Sequence, residues 1–256
     1  MRWVALLVGA SCVVMGRRGA AQGGGAGGGG GGGGVGAKET REGRGGAGPV
    51  TGRVTILEKD NRPSRDLGTA VVYLESVTPP TPPNSAPAGH PASVDVAIND
   101  KEFVPRVVVV PVGSTVRFLN HDPFDHNVFS ASDVNTFDLG QYGRGEARTW
   151  TFGGPGLTRV FCNVHPRMVM FVQVMAGRYF AQPDADGSFE IPDVPPGRYV
   201  LHVWHERSPQ VTQEVLVTTS GASGIELQLD ARGFHWVPHK NKYGKDYPTN
   251  AGRERY

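Results

Sequence analysis

The sequence predicts an all-β protein, one small β-sandwich inserted into another, behind a disordered glycine-rich N-terminal segment. Three observations predict it. From Val50 onward apolar residues alternate in short runs, separated by turns rich in Gly, Pro, Asn and Asp, the pattern of strands at regular spacing. No stretch carries the apolar period of an amphipathic helix. Six prolines between Val77 and Pro91 interrupt the strand series and ask for a domain boundary.

Taken in order, Met1 to Ala21 has a basic start at Arg2, an apolar run from Trp3 to Val8 and small residues at Gly19, Ala20 and Ala21. The run is too short to span a bilayer and is followed by a small-residue exit, so residues 1–21 are expected to be a signal peptide. That implies a periplasmic or extracellular protein. Membrane association is expected only through an uncleaved or lipidated N-terminus, for which Gly9-Ala-Ser-Cys12 is a faint acceptor. Residues 22–48 contain GGGAGGGGGGGG from position 23, which has nothing to bury and the largest backbone entropy to lose. They are expected to be a flexible linker.

Strand signals then appear at Val54 and Ile56 and at Val71-Val-Tyr-Leu74, on either side of a turn from Lys59 to Ser64. Residues 79–92 form the proline-rich connector. The stretch 93–176 alternates at Val94, Val96 and Ile98, and continues through Val107–Val110, Thr115–Asn120, Arg148–Phe152, Thr158–Cys162 and Val169–Met175. Short strands at this spacing predict a sandwich or barrel of antiparallel strands. Strands resume at Ser188–Ile191, Arg198–Trp204 and Gln213–Val217. Residues 49–78 and 177–230 are expected to form a single second sandwich, because two strands left alone would be unstable. Residues 231–256 are a basic tail with Lys240, Lys242, Lys245, Arg253 and Arg255.

Composition narrows the function. The formal net charge of +2 argues against a general nucleic-acid binder. The chain has two cysteines, and losing Cys12 with a signal peptide would leave Cys162 alone in an oxidising compartment. A lone thiol there calls for a reason. Phe161-Cys-Asn-Val-His-Pro-Arg-Met168 sets a thiolate, an imidazole and a thioether three residues apart in a loop between strands. Upstream, Asn120-His-Asp-Pro-Phe-Asp-His-Asn127 is expected to end another strand with a further imidazole, His126. Two imidazoles, one thiolate and a weak thioether are the donor set of a blue copper site. Met170 alternates with Val172 and Val174 and is expected to be core, and His121 to face solvent.

These residues resemble the cupredoxins, the plastocyanin and amicyanin family. The resemblance covers about 80 residues and implies a Greek-key sandwich holding one type 1 copper through His126, Cys162, His165 and Met168. It also implies that the Asn127 N–H reaches the Cys162 sulfur. Val164 stands where the family's loops usually have Pro, so it keeps an N–H that could also reach the thiolate, which would favour Cu(I). Asp186-Gly-Ser-Phe189, Val194-Pro-Pro-Gly197 and Tyr199-Val-Leu201, with Gly52-Arg-Val54 upstream, resemble the prealbumin-like carboxypeptidase regulatory domains.

The expected function is that of an exported single-site type 1 copper protein shuttling electrons between protein redox partners, not an enzyme. The alternative is a copper carrier or an adhesion-type module without electron transfer. A cysteine hydrolase is disfavoured because such enzymes bring their His from a distant segment, whereas His165 shares the loop of Cys162 with a Met and no evident orienting carboxamide. A multicopper enzyme is disfavoured because no His-x-His occurs and Cys162 is flanked by Phe161 and Asn163. His202 and His205, three apart on a strand, face opposite sides and are not expected to chelate one ion.

Overall fold

The computed structural model describes residues 46–77 and 89–248, which lie in one compact unit. The signal-peptide expectation, nearly all of the glycine linker and most of the proline connector fall outside the described residues, as does the tail beyond 248. Two strands come first, β1 (Gly48–Leu57) and β2 (Val71–Ser76), separated by 3-10 turns at Lys59–Asn61 and Leu67–Thr69. Nine follow: β3 (Ser93–Asn99), β4 (Glu102–Val104), β5 (Val107–Pro111), β6 (Thr115–Asn120), β7 (His126–Ser132), β8 (Asn135–Tyr142), β9 (Ala147–Thr151), β10 (Gly156–Cys162) and β11 (Val169–Met175). The last five are β12 (Phe180–Ala181), β13 (Ser188–Val194), β14 (Gly197–His205), β15 (Ser208–Val217) and β16 (Ala222–Asp230).

The fold is all-β, and its strands group into four sheets. Orders β5-β11-β10-β7-β8 and β4-β3-β6-β9 make one sandwich; β13-β1-β16 and β12-β2-β14-β15 make the other. Among the described residues the first two strands thus pair with the last ones, across the whole of β3–β11. Each sandwich has its own core. Val96, Phe118, Phe152, Val160, Met170 and Val172 lie at the centre of the first, with Met170 alternating alongside Val172 and Val174. Val54, Ile56, Ile191, Leu201 and Leu229 form the second.

Not every pair is antiparallel as the alternation suggested. β3 pairs with β6, β5 with β11 and β1 with β16 in parallel. Parallel neighbours cannot be joined by a hairpin, so they meet only through strands distant in sequence, and local patterning does not report them. The turns are local and follow their residues. At Asp184–Gly187 the Gly187 N–H returns to the Asp184 carbonyl at 2.9 Å, with Gly187 at φ +87°. A Cβ there would sit 2.2 Å from the Val54 carbonyl oxygen, so only glycine fits.

The two sandwiches share a small junction. Val71, Val107 and Phe171 are buried together, with Tyr73 and Trp204 packed against them. Arg106 grips Glu206 with two nitrogens, at 2.5 and 2.8 Å, and donates to the Val169 carbonyl at 3.2 Å. The fork-to-carboxylate geometry fixes orientation as well as distance.

Candidate metal centre

Strand alternation delivers the thiol. On β10, Phe161 points outward and Cys162 inward, and Cys162 is wholly buried. The following loop is closed at its base by the Cys162 N–H to the Met168 carbonyl (3.2 Å) and by the Met168 N–H to the His165 carbonyl (3.1 Å). That closure turns His165 back toward the sulfur and leaves Met168 buried in the same core as Cys162. His126 opens β7; it does not end a strand.

The loop before His126 is shaped by a buried amide. Asn120 accepts the Asp122 N–H at Oδ1 (2.9 Å) and donates from Nδ2 to the carbonyls of Phe124 (2.9 Å) and Tyr142 (3.2 Å). Asp122 is thereby held inside, where its carboxylate accepts the N–H groups of Asp100 (2.7 Å) and Lys101 (3.0 Å) and meets His126 Nε2 at 2.9 Å. Burial works against its charge, but these donors outweigh it and hold the carboxyl below its usual range. With Nε2–H given to Asp122, His126 Nδ1 carries the free lone pair. Burial lowers the His126 pKa, so the ring is neutral at pH 7, the form a metal requires.

Three donor atoms converge. His126 Nδ1 lies 3.5 Å from Cys162 Sγ, His165 Nδ1 lies 3.7 Å from it, and the two nitrogens are 3.2 Å apart. A point equidistant from all three would be about 2.0 Å from each, an ordinary metal–imidazole bond length. Among the described residues, this is the one cluster of His, Cys, Asp or Glu side chains close enough to share an ion. His202 is stacked on Tyr73 at 4.7 Å and contacts Glu75 and Gln210, while His205 is buried against Thr69; the two do not join in a site. His121 is exposed.

The sulfur is further dressed. The Val164 N–H points to Sγ at 3.4 Å, and the backbone N–H groups of Asn127 and His165 also face it. Burial pushes the Cys162 thiol up, and these three donors work in the opposite direction. The His165 N–H has no signature in the sequence, because any residue at that turn supplies one. Asp122 was equally invisible: an Asp four residues before a His in a loop has no periodicity to mark it. Phe124 packs 5.4 Å from both imidazoles, and Asn127 donates to Asp138 (2.6 Å) and to the Gly140 carbonyl (3.0 Å), bracing β7 against β8.

A two-sheet Greek-key sandwich with two imidazoles and a thiol at one end defines a cupredoxin domain. Residues 91–176 match the copper binding proteins of the plastocyanin/azurin family, and the chain carries a domain of that family. Residues 169–224 match polysaccharide lyase family 4, domain II, a second β-sandwich of fibronectin-like kind, where the sequence resembled carboxypeptidase regulatory domains. Similar solved structures include a copper-containing nitrite reductase from Thermus scotoductus (30% identity over 36% of this chain and 24% of that one, TM-score 0.32). Others are a purple cupredoxin from Nitrosopumilus maritimus (23%, 32% of this chain and 99% of that one, 0.29) and a Cu(I) form of an amicyanin mutant (24%, 32% and 82%, 0.31). The chain thus spans about a quarter of the nitrite reductase's length. Comparison with curated proteins gives no match.

Proposed function

We propose that this is an exported single-site type 1 copper protein that carries electrons between protein redox partners; His126, Cys162 and His165 would hold the copper, with Met168 as a weak fourth ligand. The observation that carries the reading is the convergence of two imidazole Nδ1 atoms and a buried thiol at 3.2–3.7 Å, with N–H groups already aimed at the sulfur. When bound, copper would supply a one-electron couple. The chain's part is to hold one arrangement of donors for both oxidation states. Asp122 fixes the His126 tautomer, the N–H groups temper the charge on the thiolate, and the closed loop keeps His165 in place. A copper carrier would favour an exposed, exchangeable site; His126 and Cys162 are fully buried and His165 is 9% exposed. Export and the identity of the partners rest on the N-terminal pattern and on the reading itself.

The test is Cu(II) titration of the metal-free mature protein, followed by visible absorption and electron spin resonance. An intense copper–thiolate band with narrow hyperfine splitting is expected, absent in Cys162→Ser and shifted in Met168→Leu. Ordinary tetragonal signals that persist in Cys162→Ser would defeat the proposal.

A further inference from the structure

The basic tail carries no strand pattern of its own, and its described part lies on the copper loop. It starts from the second sandwich, where Ala231 is buried and donates its N–H to the Leu57 carbonyl at 2.9 Å. It then crosses the outward face of the five-stranded sheet of the cupredoxin domain. His239 stacks on Phe161 with ring centres 4.4 Å apart and planes at 26°, and Arg167 lies over Trp236 at 5.3 Å. Beyond it a turn is preformed: Asn241 Oδ1 accepts the N–H groups of Tyr243 and Lys245, each at 3.0 Å. This turn presents two residues to the site. The Lys242 N–H donates to Asn163 Oδ1 at 3.0 Å, and Tyr247 donates its hydroxyl proton to the Cys162 carbonyl at 2.7 Å.

The tail therefore touches Phe161, Cys162 and Asn163 in succession, the thiol residue and both its neighbours. It also reaches the His126 side. Lys242 Nζ binds Asp138 at 2.7 Å, and Asp138 is the carboxylate that receives Asn127, the residue after His126. Covering Phe161 and Phe129 would need only apolar groups. Hydrogen bonds directed at the backbone of the thiol residue serve a different end.

We propose that residues 234–247 are a strap that holds the metal-binding loop, and that Tyr247 is a positioning residue for Cys162, acting through its carbonyl; this rests on the copper reading above. Two consequences follow from the chemistry. A backbone tied at its carbonyl cannot let the sulfur swing, so the loop is ordered before metal arrives. The phenol also draws electron density from the Cys162 carbonyl, which favours Cu(I) in the same sense as donors to the sulfur. The second sandwich, from which the strap is hung, thereby becomes part of the metal site.

The experiment compares full-length wild type with Tyr247→Phe, which removes one oxygen, and with Tyr243→Phe, a tail tyrosine that is 71% exposed. In the metal-free protein, amide exchange across residues 161–168 is expected to rise about tenfold in Tyr247→Phe, with β14 unchanged. In the copper-loaded protein the Cu(I) to Cu(II) ratio at fixed applied potential should fall about threefold, ~28 mV at 59 mV per tenfold. Tyr243→Phe should match wild type in both. Loop exchange equal to wild type, or an unshifted potential, would overturn the role of Tyr247. If wild type itself shows no copper–thiolate band, the copper reading fails, and the exchange arm alone decides whether the strap orders the loop.

Discussion

The two sandwiches bury very different things. In the cupredoxin domain ten polar residues are buried, among them Asn120, Asp122, His126, Asn127, Asn135 and His165, whereas His205 is the only one among the described residues of the second. Buried polar groups are tolerated only when hydrogen-bonded, and in the first domain Asn120, Asp122, His126, Asn127 and His165 all belong to the ligand site or to the 120–125 segment that leads into it. The apolar sandwich is a frame, and the polar one holds a constellation. Stability and chemistry should therefore separate on mutation.

The largest effect is expected in the frame. Leu201→Ala, at a fully buried position, should cost about 2–5 kcal/mol in denaturant unfolding while leaving the copper absorption of the folded protein unchanged. A displaced band would mean that the frame sets ligand geometry directly. Asp122→Ala attacks the other side. Stripping the partner from buried His126 should cost ~1–3 kcal/mol, and copper affinity should fall about 10- to 100-fold in a competition titration. An affinity within twofold of wild type would show that Asp122 does not orient the ring.

Val164→Pro is subtler: it deletes the N–H directed at the thiolate and trims a partly buried side chain. A thiolate with one donor fewer favours Cu(II), so voltammetry should show a lower potential, by up to about 59 mV if the preference changes tenfold. A rise would reverse the assigned role of that donor.

The smallest effect concerns His205, a buried histidine of the frame. His205 Nδ1 accepts the Arg207 N–H at 3.3 Å, and Nε2 meets Thr69 Oγ1 at 3.0 Å, an arrangement that suits the neutral ring. Burial, with Arg207 adding to it, depresses its pKa below 6.5. The unfolded chain then takes up a proton that the fold refuses, so this contribution is present above pH 6.5 and is lost as pH falls through the folded value. In metal-free protein, the drop in urea midpoint from pH 7.5 to 5.0 should be smaller for His205→Gln than for wild type. Equal drops would assign the acid sensitivity to other groups.

Much of this was legible in the chain alone, for a physical reason. Alternation along a strand is a local property, so the all-β class, most strand positions and the turns at Lys59–Ser64 and Asp184–Gly187 could be read without the fold. Likewise Cys162, His165 and Met168 occupy one short loop, and their spacing is written in the sequence. Weakly patterned strands were harder: β4 and β8 carry Glu102, Asp138 and Gly140 between their apolar residues and went unread. Tertiary structure alone decided the three parallel pairings, the approach of Asp122 to His126 and the return of Tyr247 to Cys162 across 85 positions. Each depends on segments whose separation in sequence carries no period and whose meeting is settled by the packing of two cores.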